Sequence, residues 1–181
     1  WATPAIDDTC SCLFVSSMDH KLYSLDANTG EIRWMTGDLG GAIISTPTFL
    51  EDGTVFVGTF ASELVALGAE DGAILWRFKT DGFVWTQPNL VDGVLYFGDS
   101  KGKLYAVDTN GVKVWDVQTE GPVVSMPLIK NGTIYFTVGN DTIYAYSQAG
   151  SSVWQQLLEG QFQGSVVNSG DRLLVSPLNS Q

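Results

Sequence analysis

Apolar and polar residues alternate in short runs along this chain, and nearly every run stops at a glycine-bearing turn. Between residues 44 and 76 the runs are Ile44-Ser45-Thr46-Pro47-Thr48-Phe49, Thr54-Val55-Phe56-Val57, Glu63-Leu64-Val65-Ala66-Leu67 and Ala73-Ile74-Leu75-Trp76. Runs of this length, rich in β-branched and aromatic residues, predict strands. Asp52-Gly53 and Asp71-Gly72 separate them, and Asp-Gly, Asn-Gly and Ser-Gly pairs recur at 92–93, 131–132 and 169–170. Such pairs take the positive φ angles that tight hairpins need.

The string then repeats. Trp34, Trp76, Trp115 and Trp154 stand 42, 39 and 39 residues apart, and Pro4, Pro47, Pro88 and Pro127 stand 43, 41 and 39 apart. Four hairpin-linked strands in each period of about 40 residues are the signature of a β-propeller blade. The expected fold is all-β, one partial propeller domain over 1–181 made of four-stranded antiparallel blades at 1–41, 42–82, 83–121 and 122–160, with a half blade at 161–181. Proline offers no ladder donor, so the proline-bearing strand is placed innermost with its free edge on the channel. The Trp-bearing strand is then outermost, where an indole fills the wedge between splaying blades.

Composition narrows the class. The chain is 44% hydrophobic, 12% aromatic and only 16% charged, with 20 glycines, a balance that suits a buried core and many turns. Twenty acidic against nine basic residues give a net charge of −11. That charge repels nucleic acid and anionic lipid, so neither is an expected partner. No stretch reaches the roughly 18 consecutive apolar residues of a membrane span. Trp1-Ala2-Thr3-Pro4 lacks the layout of a secretory leader, so any leader is expected outside this chain. The two cysteines lie in Cys10-Ser11-Cys12. Closing them makes a small strained ring, and two thiols are half a zinc site, so both are expected as free structural thiols.

The outer hairpin carries a motif. It reads Ser24-Leu25-Asp26-Ala27-Asn28-Thr29-Gly30-Glu31-Ile32-Arg33-Trp34, then Ala66-Leu67-Gly68-Ala69-Glu70-Asp71-Gly72-Ala73-Ile74-Leu75-Trp76, with shorter copies from Ala106 to Trp115 and from Ala145 to Trp154. These strings resemble the Ala-x-Asp-x-x-Thr-Gly-x-x-x-Trp repeat of quinoprotein, or pyrroloquinoline-quinone-like, propellers, and among them the BamB-like propeller proteins. The resemblance implies that Trp34, Trp76, Trp115 and Trp154 dock on a neighbouring blade, that Ala66, Ala106 and Ala145 are buried, and that Gly30, Gly72, Gly111 and Gly150 close the turns. It also implies a seven- or eight-bladed ring, of which about 4.5 blades are present, or open edges paired in a homo-oligomer. Function is implied as a non-enzymatic scaffold for protein or peptide segments, outside the cytoplasm in the periplasm or at the cell surface. Trp-Asp occurs once, at Trp115-Asp116, so the propeller repeat built on that dipeptide does not account for the pattern.

Enzymes of the quinoprotein family hold pyrroloquinoline quinone and calcium beside a disulfide between consecutive cysteines, a catalytic Asp and carboxylate and amide ligands. Cys10 and Cys12 are not consecutive, so no quinone or calcium is expected. A fragment of a quinone-dependent dehydrogenase remains the alternative, with a ligand-sensing propeller domain as a third reading. His20 is the only histidine, which removes His-based triads and multi-histidine metal sites, and it reads as a turn residue. Asp26, Asp52, Asp71, Asp92 and Asp108 fall at turns, where carboxylates cap backbone amides. Asn131-Gly132-Thr133 and Asn140-Asp141-Thr142 match the glycosylation pattern. No residue is assigned a catalytic, cofactor or metal role. The longer loops, from second to third strand and from blade to blade, share one face of a propeller. Phe60, Phe83, Trp85 and Phe162 with Asp99 and Glu120 mark that face as the candidate partner-binding surface, aromatics supplying area and carboxylates selecting a basic partner. The competing reading buries several of these aromatics at the start of the next inner strand.

Overall fold

The computed structural model describes residues 2–160, 164–170 and 172–176, which fall into two compact units, Trp1–Pro88 and Asn89–Gln181. Among the described residues every regular element is a strand. The first unit holds two four-stranded sheets. One contains β1 (Ala5–Asp7), β2 (Cys12–Ser16), β3 (Leu22–Asp26) and β4 (Ile32–Met35), and the other β5 (Thr48–Phe49), β6 (Thr54–Thr59), β7 (Glu63–Gly68) and β8 (Ile74–Lys79). The second unit holds β9 (Asn89–Val91), β10 (Val94–Gly98), β11 (Lys103–Asp108) and β12 (Lys113–Gln118), then β13 (Leu128–Lys130), β14 (Thr133–Val138), β15 (Thr142–Ser147) and β16 (Ser152–Leu157), and the pair β17 (Val167–Ser169) and β18 (Arg172–Leu174). Each four-stranded sheet is an antiparallel meander in chain order.

The inner strands are shorter than the sequence pattern predicts. β1, β5, β9 and β13 each begin at the residue after Pro4, Pro47, Pro88 or Pro127, because proline cannot donate to the ladder and constrains the residue before it. In two of the blades a serine two residues ahead of the proline bonds the neighbouring strand through its hydroxyl. Ser45 Oγ accepts from Gly58 N at 3.0 Å, and Ser125 Oγ accepts from Thr137 N at 2.8 Å; both serines are buried.

The outer three strands of every blade share one cross-strand row. Phe14 lies opposite Ser24 and Ser24 opposite Trp34; the equivalent rows are Phe56, Ala66, Trp76, then Tyr96, Ala106, Trp115, then Tyr135, Ala145, Trp154. The two aromatic rings meet over the small central residue, with centroids 6.0, 5.7, 5.9 and 5.9 Å apart and planes tilted by 39–45°. Such tilted pairs contribute beyond their buried area. Directly after the small residue each ladder slips, at Ser24/Leu25, Ala66/Leu67, Ala106/Val107 and Ala145/Tyr146. This repeated bulge swings the outer strand so that its Trp leans over the row.

The cysteines differ from the expectation of free thiols: Cys10 and Cys12 form a disulfide. Ser11 adopts the left-handed region, φ 51°, which folds the turn back and sets the two Cα atoms 5.1 Å apart, within the span a disulfide bridges.

Candidate functional site

In the first unit, an apolar groove of about 380 Å³ opens where the blade-connecting loops gather, lined by Ala2, Ser16, Met18, Ile43, Ile44 and Phe60. Met18 sits in the β2–β3 turn, Ile43 and Ile44 on the link from β4 to β5, and Phe60 in the β6–β7 turn. Backbone bonds lock these loops together: Ile43 N donates to Ser17 O, Leu39 N to His20 O and Phe60 N to Ala42 O, at 2.9–3.0 Å. Gly41 permits the approach, since a β-carbon there would lie 2.4 Å from Ala61 N. Ile43 is buried, whereas Met18 is 68% exposed.

Two carboxylates, Asp19 and Asp38, lie in loops that also carry lining residues of the groove. Asp19 follows Met18 and accepts from Lys21 N and from the Tyr23 hydroxyl at 2.5 Å. The Ser17 and Tyr23 hydroxyls hold its carboxyl below the usual carboxylate range. Asp38 accepts from Gly40 N at 2.7 Å, the first cause of its own lowered pKa, and pairs with His20 Nδ1 at 3.1 Å. Both shifts favour the ionised form, so these loops carry negative charge.

The structure places the residues expected on this face as follows. Phe60 and Phe83 stack with centroids 5.1 Å and planes 12° apart, and Phe83 is 47% exposed. Trp85 is half-buried and Glu120 is exposed. Phe162 lies outside the described residues. Asp99 corrects the expectation of a surface carboxylate, because it is fully buried: Oδ1 accepts from Lys101 N and Lys103 N at 2.9 Å, and Oδ2 from the Tyr105 hydroxyl at 3.0 Å. It organises the β10–β11 turn, as Asp19 does the β2–β3 turn at the surface. Asn131 is an exposed turn residue at φ 51°, whereas Asn140 is half-buried and its Oδ1 has no hydrogen-bond partner among the described residues.

Two of the tryptophans bond a neighbouring sheet. Trp34 Nε1 donates to Ala69 O and Trp115 Nε1 to Gln148 O, each at 2.9 Å, so each indole docks on the outer hairpin of the following sheet within its own unit. A β-carbon on Gly72 would lie 2.6 Å from the Trp34 ring, and one on Gly150 2.9 Å from the Trp115 ring. Gly30 and Gly111 share the positive φ, at 75° and 82°. Ala66, Ala106 and Ala145 are fully buried and Trp76 is half-buried, while Trp154 is 40% exposed.

The sequence profile of the family described as outer membrane protein assembly factor BamB matches residues 19–128. The chain belongs to this BamB family of pyrroloquinoline-quinone-like repeat propellers. It is 30% identical to the outer membrane protein assembly factor BamB of Yersinia pestis over 102 residues, 54% of this chain and 25% of that protein. With the BamB of Shewanella oneidensis it shares 29% over 96 residues, 52% and 24% of the two chains. The match thus spans about a quarter of the length of these curated relatives. Among solved structures it is similar to BamB from Moraxella catarrhalis, with TM-score 0.67, 15% identity and coverage of 97% of this chain and 79% of that one. It is also similar to a quinohemoprotein alcohol dehydrogenase of Pseudomonas putida HK5, with TM-score 0.75, 18% identity and coverage of 86% and 33%. At such identities the likeness is one of fold: an all-β partial propeller of four-stranded antiparallel blades.

The disulfide links Cys10 to Cys12 across Ser11, and no three His, Cys, Asp or Glu side chains converge in metal-binding geometry among the described residues.

Proposed function

We propose that this BamB-family chain is a non-catalytic scaffold that receives a cationic, amphipathic segment of a protein partner in the Met18–Phe60 groove. It would act outside the cytoplasm, in the manner of an outer membrane assembly factor, with no resident cofactor. The observation that carries the reading is the juxtaposition of exposed Met18 and the Phe60–Phe83 stack with the ionised Asp19 and Asp38. Apolar anchors supply contact area while flanking carboxylates choose the sign of the partner. Membership of the family of the outer membrane protein assembly factor BamB supports such a role.

Fluorescence anisotropy with labelled peptides tests it. A peptide alternating Lys or Arg with Leu or Phe is expected to bind, and an isosteric Glu-containing peptide to bind at least tenfold more weakly, about 1.4 kcal/mol. Met18→Lys is expected to weaken the cationic peptide by a similar factor without altering the melting curve. Equal affinity for the two peptides, or for the wild type and Met18→Lys, would rule the groove out.

A further inference from the structure

We propose that Cys10, Cys12 and Arg33 form a thiol–disulfide exchange site, in which the Cys10–Cys12 disulfide accepts electrons from a pair of incoming thiols. The site stands apart from the groove and does not depend on the scaffold reading: it lies at the β1–β2 turn, the opposite end of β2 from Met18. A cleft of about 250 Å³ opens onto it, lined by both cysteines, Arg33, Thr9 and Glu70 among others.

The two sulfurs are unlike. Cys12 is 3% exposed and belongs to the apolar core of the first unit, whereas Cys10 is half-buried at its margin. An incoming thiolate therefore meets Cys10 first. Arg33 Nη1 lies 3.1 Å from Cys12 Sγ and donates to Cys10 O at 2.9 Å, while Nη2 pairs with Asp26 Oδ2 at 2.6 Å. These contacts hold the guanidinium against the sulfur that must depart. A disulfide sulfur is a weak acceptor and a thiolate a strong one, so this contact strengthens as the S–S bond breaks.

The thiolate of the first thiol attacks Cys10 Sγ, and the S–S electron pair leaves with Cys12 Sγ as a thiolate against Arg33. A mixed disulfide now joins the incoming sulfur to Cys10. A second thiol, deprotonated to water, attacks the incoming sulfur, and Cys10 departs as a thiolate. Two thiols have lost two protons and two electrons to become one disulfide. The electrons reside on Cys10 and Cys12, which take up protons from water. Arg33 is a positioning residue, touching the leaving sulfur and not the incoming thiol.

The test uses the full oxidised chain with reduced glutathione, quenched by N-ethylmaleimide and read by tandem mass spectrometry, native and unfolded in concentrated urea. The expected trapped species carries glutathione on Cys10 and maleimide on Cys12, forming at least about tenfold faster in the native chain. Arg33→Met is expected to slow the native reaction about tenfold, the loss of one charge-assisted hydrogen bond, and Arg33→Lys to keep most of the rate. Circular dichroism confirms that both variants fold, and a purely structural arginine would shift stability without touching the rate. Glutathione on Cys12, a native rate no higher than the unfolded one, or an unchanged rate in Arg33→Met would each overturn the assignment. Reduced ribonuclease A as a second thiol source separates the physiological origins, since faster exchange than with glutathione at equal thiol concentration indicates a protein dithiol and slower exchange a small thiol.

Discussion

Ser24 occupies the position that alanine holds in the other three blades, beneath the Phe14–Trp34 pair. It is fully buried, and its hydroxyl has no hydrogen-bond partner among the described residues. A buried unsatisfied hydroxyl costs more than an apolar group of similar size, so Ser24→Ala is expected to raise stability by about 1 kcal/mol, read from the urea midpoint. Asp26 carries an opposite kind of signal. Hydrogen bonding to Arg33, then to the N–H groups of Asn28 and Thr29, lowers its pKa from 3.8 to about 2. Because the folded value is the depressed one, its contribution is complete above about pH 4 and is lost as pH falls through about 2. Urea unfolding across this interval is expected to show the acid slope diminished in Arg33→Met.

At the scale of the element, glycines with the same backbone geometry differ in what surrounds them. Gly30 and Gly72 have φ of 75° and 70°. Gly30 has no heavy atom within 4 Å of its notional β-carbon, whereas Gly72 faces the Trp34 ring at 2.6 Å. Gly30→Ala is therefore expected to cost only the left-handed backbone penalty, about 1–2 kcal/mol. Gly72→Ala must also displace the indole and break its bond to Ala69 O, and is expected to cost at least about 2 kcal/mol more. Paired thermal melts of the two variants decide this, and equal costs would mean that the Trp34 dock carries little energy. The aromatic–small–aromatic row follows a related logic: strands two and four of a blade are too far apart for ordinary cross-strand contact, and only a small residue between them lets the rings close over strand three.

Across the whole molecule, most basic groups with described contacts are tied down. Arg33 pairs with Asp26, Arg77 with Glu63, and Lys103 and Lys113 with Asp116. With a net charge of −11, the excess that remains is acidic and acts at long range. If a cationic segment docks as proposed, its association rate is expected to fall at least about tenfold between low and high salt while its dissociation rate changes little. Stopped-flow fluorescence measures both, and a salt-independent association rate would remove electrostatics from recognition.

Sequence alone determined the all-β class, the four-strand period and the outer-hairpin motif, because period-two alternation, turn dipeptides and evenly spaced Trp and Pro are local properties repeated four times. Phe14, Phe56, Tyr96 and Tyr135 keep the same period, each 19 or 20 residues before its Trp, but their place in a shared row emerged only from the ladder register. Tertiary structure decided the site. Asp99 directly follows β10 and is buried, whereas in the equivalent β2–β3 turn Ser17 holds that place and Asp19, two residues further on, is exposed. Met18, Ile43 and Ile44 converge from separate loops and carry no motif of their own; an apolar side chain in a polar turn was the one available hint for Met18. Ring size favoured open thiols at Cys10 and Cys12, but the left-handed Ser11 closes the turn, and Arg33, 21 residues beyond Cys12, reaches its sulfur only because β3 and β4 fold back alongside β2. Periodicity is written in neighbouring residues, whereas a functional surface is assembled by long-range pairing that brings distant residues side by side.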